Sequence, residues 1–282
     1  MIDTHAHLDF SQFDQDREEV IARFFESGGR AIINIGVDLE HSRKSIEIAE
    51  KHKNIFASVG LHPDFFMEHR TWNMEQIFGE LEKLARNKKV AAMGETGLDY
   101  YSHTDNPIID AEKENQKAGF IEQIKLAQEL NLPVIVHCRD AWEDLYKIIF
   151  KVRPFPSRKQ VAGIPQGQTF FVLHCYSGEK RDTEKFLKLP NVYFSFSGNI
   201  TYPKPKERAE KLSEAIKMIP LDKIMLDSDA PFLAPQEVRG KRNEPINVLY
   251  IAKKIAEIKG LGTEIVLRAT DENAVKFFGL KL

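Results

Sequence analysis

Cysteine is nearly missing. Two of 282 residues carry a thiol, Cys138 and Cys175, each directly after a histidine. That count excludes a disulfide-stapled scaffold, and the two thiols read as small buried residues. No apolar run approaches the roughly 20 residues that cross a bilayer, and the first five residues lack the basic and apolar regions of a leader. The expected setting is a soluble, cytoplasmic chain that needs no membrane and no obligate protein partner. Neither sign of charge dominates: 40 basic against 42 acidic side chains leave a formal charge of -2. Without a global positive field, any surface for phosphate must be local. Repeats and low-complexity segments are missing too. So is the Gly-x-Gly-x-x-Gly turn that opens a doubly wound dinucleotide fold; His5-Ala6-His7 stands at the end of the first apolar run instead.

What is present is apolar mass for one large core, 42% of residues. Eight β-branched-rich runs of strand length occupy 1–7, 31–36, 55–60, 90–95, 133–137, 169–174, 191–197 and 223–228. Helical patterns fill the gaps, at 16–27, 40–52, 74–87, 111–130, 141–151, 179–189 and 206–219, with two more at 247–258 and 263–278. Eight strands with helical crossovers predict an α/β fold, a closed (β/α)8 TIM barrel, as a single domain over 1–282. The stretch 153–168 reads as a loop on the far side from the catalytic rim.

Strand periodicity of two puts His5 and His7 on one face. Glu95, His137 and His174 end the fourth, fifth and sixth strands, and the eighth runs into Asp227-Ser228-Asp229. In a barrel all these carboxyl ends meet at one rim, so four imidazoles and two carboxylates converge. Imidazole and carboxylate without thiolate suit Zn, Mn, Mg, Ni or Co, and six donors exceed what one tetrahedral ion takes. The economical expectation is two divalent metal ions, with Glu95 bridging, His5, His7 and Asp229 on one side and His137 and His174 on the other. Asp229 and Glu95 are then the catalytic carboxylates, Asp229 orienting or deprotonating the attacking water.

Around them, Arg139 lies two residues past His137, placed to clamp a phosphate or to pair with Asp99 or Asp140. His62, pinned by Pro63 after the third strand, is a phosphate donor or a loop brace. Arg242 belongs to a basic cluster with Arg239 and Lys241 after the eighth strand, whose position beside Asp229 predicts contact with the substrate. Tyr100, Tyr101, Phe65, Phe66 and Tyr202 are aromatic candidates for stacking on bases.

The segments Asp3-Thr4-His5-Ala6-His7-Leu8, Gly60-Leu61-His62-Pro63, Gly94-Glu95-Thr96-Gly97-Leu98-Asp99-Tyr100, His137-Cys138-Arg139, His174-Cys175-Tyr176-Ser177-Gly178, Asp229-Ala230-Pro231-Phe232-Leu233 and Arg239-Gly240-Lys241-Arg242-Asn243-Glu244-Pro245 span nearly the whole chain. Together they resemble the TatD-type metal-dependent deoxyribonucleases of the amidohydrolase-like barrels. The resemblance implies divalent metals at His5, His7, Glu95, His137, His174 and Asp229, and hydrolysis of DNA, single-stranded or at ends, commonly as a 3′-5′ exonuclease. DNA as substrate follows from the resemblance alone; the residues by themselves also suit a hydrolase of a small amide, lactone or phosphoester. One departure is Asp227, where the family more usually carries glutamate, and the shorter acid is expected to hold its neighbours less firmly.

Overall fold

The computed structural model describes residues 1–67, 73–102, 107–152 and 169–282; the expected loop at 153–168 lies outside them. Eight strands form one parallel sheet in chain order: β1 (Ile2–Ala6), β2 (Ala31–Asn34), β3 (Ile55–Val59), β4 (Val90–Asp99), β5 (Val134–Arg139), β6 (Phe171–Leu173), β7 (Val192–Phe196) and β8 (Ile224–Leu226). Between and after them run α1 (Arg17–Glu26), α2 (Leu39–Lys51), α3 (Met74–Ala85), α4 (Asp110–Leu130), α5 (Trp142–Lys151), α6 (Lys180–Phe186), α7 (Lys206–Met218), α8 (Val248–Lys259) and α9 (Thr263–Phe278). Each expected strand is present, in the expected order, and the sheet curls into a nearly closed barrel.

The last seam joins β1 to the segment after β8, and it relies on side chains because β8 is only three residues long. Two backbone bonds cross it, His7 N–H to Ala230 O at 2.7 Å and Asp229 N–H to His5 O at 2.9 Å. The buried Asp3 carboxylate accepts from Ser228 N–H at 2.9 Å and Ser228 Oγ at 2.6 Å, and Thr4 Oγ1 donates to Leu226 O. Closure thereby fixes Asp229 against His5.

Alternation along the strands sorts the core. Ile33, Ile135, Val172, Tyr193 and Met225 cluster with Phe277 and Phe278 of α9, whose rings cover the barrel end opposite the site. The residues between them, such as Ile32, Val134, Phe171 and Phe194, pack outward with the helices. His137, His174 and Asp227 stand two residues beyond Ile135, Val172 and Met225, so the period of two that fills the interior also aims these side chains at the mouth.

One strand differs from its expected bounds. β4 continues past Glu95 to Asp99, pairing Thr96 with Val136, Gly97 with His137 and Asp99 with Arg139 after a register shift following Met93. Thr96–Asp99 lie beyond the end expected for this strand but are strand here. Gly97 has φ +148°, and a Cβ there would stand 2.0 Å from His137 O, so glycine is what lets β4 approach β5 this closely. Glu95 consequently sits within a strand, not at its end.

Candidate metal centre

The structure gathers the five other expected donors around Glu95, whose two carboxylate oxygens face two different groups. On the Oε2 side stands His5 Nε2 at 3.4 Å, with His7 Nε2 at 4.0 Å. Asp229 Oδ1 completes this group at 3.8 Å from His5 Nε2 and 3.6 Å from His7 Nε2. On the Oε1 side are His174 Nε2 at 2.7 Å, His137 Nδ1 at 2.9 Å and His62 Nε2 at 3.9 Å. Donors held about 2.0–2.2 Å from a tetrahedral ion lie about 3.3–3.6 Å from one another, which is the scale of the separations on the Oε2 side, whereas His174 and His137 approach Oε1 to hydrogen-bonding distance.

The donor chemistry fits a cation as well. His5 Nε2 and His7 Nε2 stand 3.2 Å apart, and the Nδ1 atoms of both rings are buried without a hydrogen-bond partner. Buried polar atoms left in this state are unfavourable unless something satisfies them. A divalent ion would leave those Nδ1 atoms as they are, but it would take the two Nε2 lone pairs that converge between the rings. Three overlapping sets meet the spacing for an ion: His5, Glu95 and His174; His5, His7 and Asp229; His62, Glu95 and His137.

Two further acids orient the rings. Asp99 Oδ2 holds His137 Nε2 at 2.9 Å, leaving Nδ1 for the centre, and Asp99 is itself held by Tyr101 N–H at 2.9 Å. Asp227, buried, accepts from Cys175 N–H, Ser195 Oγ and Ser197 Oγ at 2.8–2.9 Å and reaches His174 Nδ1 at 3.5 Å. The shorter acid at this position is therefore itself firmly held, while its contact with His174 Nδ1 is a long one. Such outer partners fix tautomer and ring direction.

Electrostatics follows the geometry. Burial alone would raise the Glu95 pKa, yet His174, His5 and His137 hold it well below the usual carboxylate range. Burial lowers His5, with His174 adding to the effect. Burial also opposes protonation of His137, but Asp99 and Glu95 outweigh it and push that group up to about 9; His174 is raised by Glu95 and Asp227 in the same way. A nitrogen must lose its proton before it can bind a metal, so below about pH 9 an incoming ion displaces protons. Calorimetric titration of metal-stripped protein in buffers of different ionisation heat is expected to show proton release, with affinity rising from pH 6 to 9. Constant affinity over that range contradicts these assignments.

The centre opens into a cleft of about 800 Å³ walled by Phe10, Val37, Leu39, His62, Phe65 and Phe232, with Arg43 also along it. The expected outer residues divide. The Arg139 guanidinium carbon stands over the Tyr101 ring, 3.4 Å from its centre, while Asp99 serves His137. His62, expected outside the ligand set, stands in the Oε1 group, braced by Asp64 N–H. Arg242 is not brought to the cleft. Its guanidinium forms a two-pronged pair with Asp16 at 2.6 and 2.7 Å, donates to Gln12 O and approaches Glu244 at 3.3 Å. Arg239 covers the Tyr202 ring. Tyr100 turns to Asp144, and Phe66 packs on Gly119, so both serve the wall. Cys138 is buried, and Cys175 is partly so; both are free. Sequence reasoning missed Asp99 as an orienting acid, although it shares the strand face of Glu95 four positions on, and it missed Phe10 and Phe232 at the cleft.

Among the described residues no helix is long and apolar enough to cross a membrane. A family profile described as TatD related DNase matches residues 2–279. An uncharacterized metal-dependent hydrolase, YabD of Bacillus subtilis (strain 168), is 37% identical over 282 residues, covering 99% of this chain and 98% of its own. The 3′-5′ ssDNA/RNA exonuclease TatD of Cronobacter sakazakii (strain ATCC BAA-894) is 31% identical, covering 99% of this chain and 97% of its own. Among solved structures, YJJV, a TatD homolog from Escherichia coli K12, superposes with a TM-score of 0.83 at 28% identity over 100% of this chain and 98% of that one.

Proposed function

This chain belongs to the TatD-related DNase family of metal-dependent hydrolases, and from that premise we propose that it removes nucleotides from the 3′ end of single-stranded DNA. The observation that carries the proposal is Glu95 shared between two donor groups, His5, His7 and Asp229 on one oxygen and His137 and His174 on the other. Relatives named as exonucleases support the choice of nucleic acid.

In this proposal those six residues hold two divalent ions drawn from Mg, Mn, Zn, Co or Ni, which supply Lewis acidity to a phosphoryl oxygen and to water. Asp229 takes the proton of the attacking water at its carboxylate. The water oxygen bonds to phosphorus, the bond from phosphorus to the 3′ oxygen of the preceding nucleotide breaks, and the proton taken by Asp229 passes to that oxygen, which leaves as a hydroxyl. Asp99 and Asp227 keep the His137 and His174 rings directed throughout. Arg139, over the Tyr101 ring, and His62 donate to the phosphate.

A small-molecule amide, lactone or phosphoester hydrolase is the second reading, favoured by the apolar wall at Val37, Leu39 and Ile77. The deciding experiment incubates metal-loaded protein with 3′- and 5′-labelled single strands beside a panel of p-nitrophenyl esters, amides and phosphodiesters. Stepwise loss from the 3′ end is expected. An intact strand alongside rapid ester or amide cleavage refutes the nuclease reading.

The two arginines separate in this assay. Neutralising Arg139 is expected to raise KM for DNA and to flatten the slope of log affinity against log salt by about 0.7, the share of one single-strand phosphate contact. Arg242→Ala is expected to leave both unchanged, because its charge is already spent on Asp16 and Glu244. An altered salt slope in Arg242→Ala contradicts that placement.

A further inference from the structure

We propose that Phe232, backed by Phe10, is the shelf on which the terminal nucleobase of the substrate stacks, an inference that rests on the nuclease reading above. Of the exposed large apolar side chains among the described residues, Phe232 is the one lining the cleft, and it remains 45% exposed. Its ring stands 6.2 Å from that of the metal-ligand candidate His7 and 5.9 Å, edge to face, from Phe10.

The shelf is held rigidly. Phe232 lies three residues past Asp229, and its N–H donates to Asp229 O at 2.8 Å. The following loop is tied back through Asn243, whose N–H donates to Pro231 O and whose side chain donates to Ser228 O. Phe10 is stacked on His7 at 4.6 Å and flanked on another side by His41 at 4.8 Å. His41 is anchored by the buried Asp9 carboxylate at 2.6 Å, and Asp9 in turn accepts from Asn34 Nδ2 at 2.9 Å. An ordered aromatic surface beside the reacting centre is pre-organised, so little conformational freedom is lost when a flat ligand covers it.

The chemistry favours a nucleobase over an acyl chain. A planar ring stacks on an aromatic face whatever its hydrogen-bonding edge, and an enzyme that strips a strand from one end must accept each base in turn. The cleft, about 800 Å³, has room for a nucleotide.

The test is binding to Mn-loaded protein, followed by calorimetry, of dTMP, dAMP and 2-deoxyribose 5-phosphate, which shares their phosphate and sugar but has no base. Wild type is expected to bind each nucleotide about tenfold more tightly than the sugar phosphate. Phe232→Ala is expected to bind all three alike, at the wild-type affinity for the sugar phosphate, which also reports that the fold and the metal centre are intact. Phe232→Trp restores the preference, and Phe232→Leu, closer in bulk but not aromatic, does not. The shelf is refuted if wild type binds no nucleotide or shows no preference, or if Phe232→Ala or Phe232→Leu keeps it. A protein that shows the preference yet leaves labelled strands intact refutes the nuclease reading and leaves the shelf standing. One that degrades strands without the preference refutes the shelf alone.

Discussion

Glu95→Gln is expected to lower kcat/KM by at least about a thousandfold, from the several kcal/mol of transition-state stabilisation that a correctly held metal pair supplies. The carboxylate offers an oxygen to each donor group, Oε2 toward His5 and Oε1 toward His137 and His174. Glutamine is nearly the same shape but has one oxygen and one NH2, so whichever group meets the NH2 faces a hydrogen-bond donor where a ligand is needed. The negative charge that would offset the bound cations is lost as well. His62→Ala, which removes a braced neighbour at 3.9 Å, is expected to cost far less. Parallel kinetics of the two variants, with circular dichroism confirming the fold, check the ranking. A Glu95→Gln enzyme within tenfold of wild type excludes the shared-carboxylate arrangement.

The second large effect is reversible chelation. Dialysis against EDTA is expected to reduce hydrolysis by at least about a thousandfold, and Mn, Co, Zn or Mg added back restores it, because among the described residues the proposed base, Asp229, has only an unpolarised water to act on once the ions are gone. Cys175 is not an alternative nucleophile, since burial and the carboxylates of Asp229 and Asp227 push its thiol up to about 12. The fold should survive, as the core beneath the site is apolar and continuous with α9. Full turnover in protein shown by elemental analysis to be metal-free overturns the mechanism.

Much of this centre was legible because two simple periodicities place it. Alternation carried His5 and His7 to one face, and the shared polarity of parallel strands carried His137, His174 and Asp229 to the same rim. What sequence could not supply depends on register and on distant partners. β4 runs through Thr96-Gly97 because Gly97 permits close approach to His137 O, and no local pattern announces that. Asp99 finds His137 only through the pairing of Asp99 with Arg139 across β4 and β5. The basic cluster around Arg242 suggested substrate contact, but Asp16, 226 positions away in sequence, neutralises it. Phe232 was visible in its motif, yet nothing local distinguishes an exposed ring from a core one.

The proposed sharing of one carboxylate by two ions is open to direct observation. Crystals of the protein loaded with Mn, measured at a wavelength where manganese scatters anomalously, locate the ions independently of activity. Two peaks are expected, one between Glu95 Oε2 and the group of His5, His7 and Asp229, the other between Glu95 Oε1 and the group of His137 and His174. A single peak coordinated by residues other than Glu95, or no peak within this cluster under saturating metal, contradicts it.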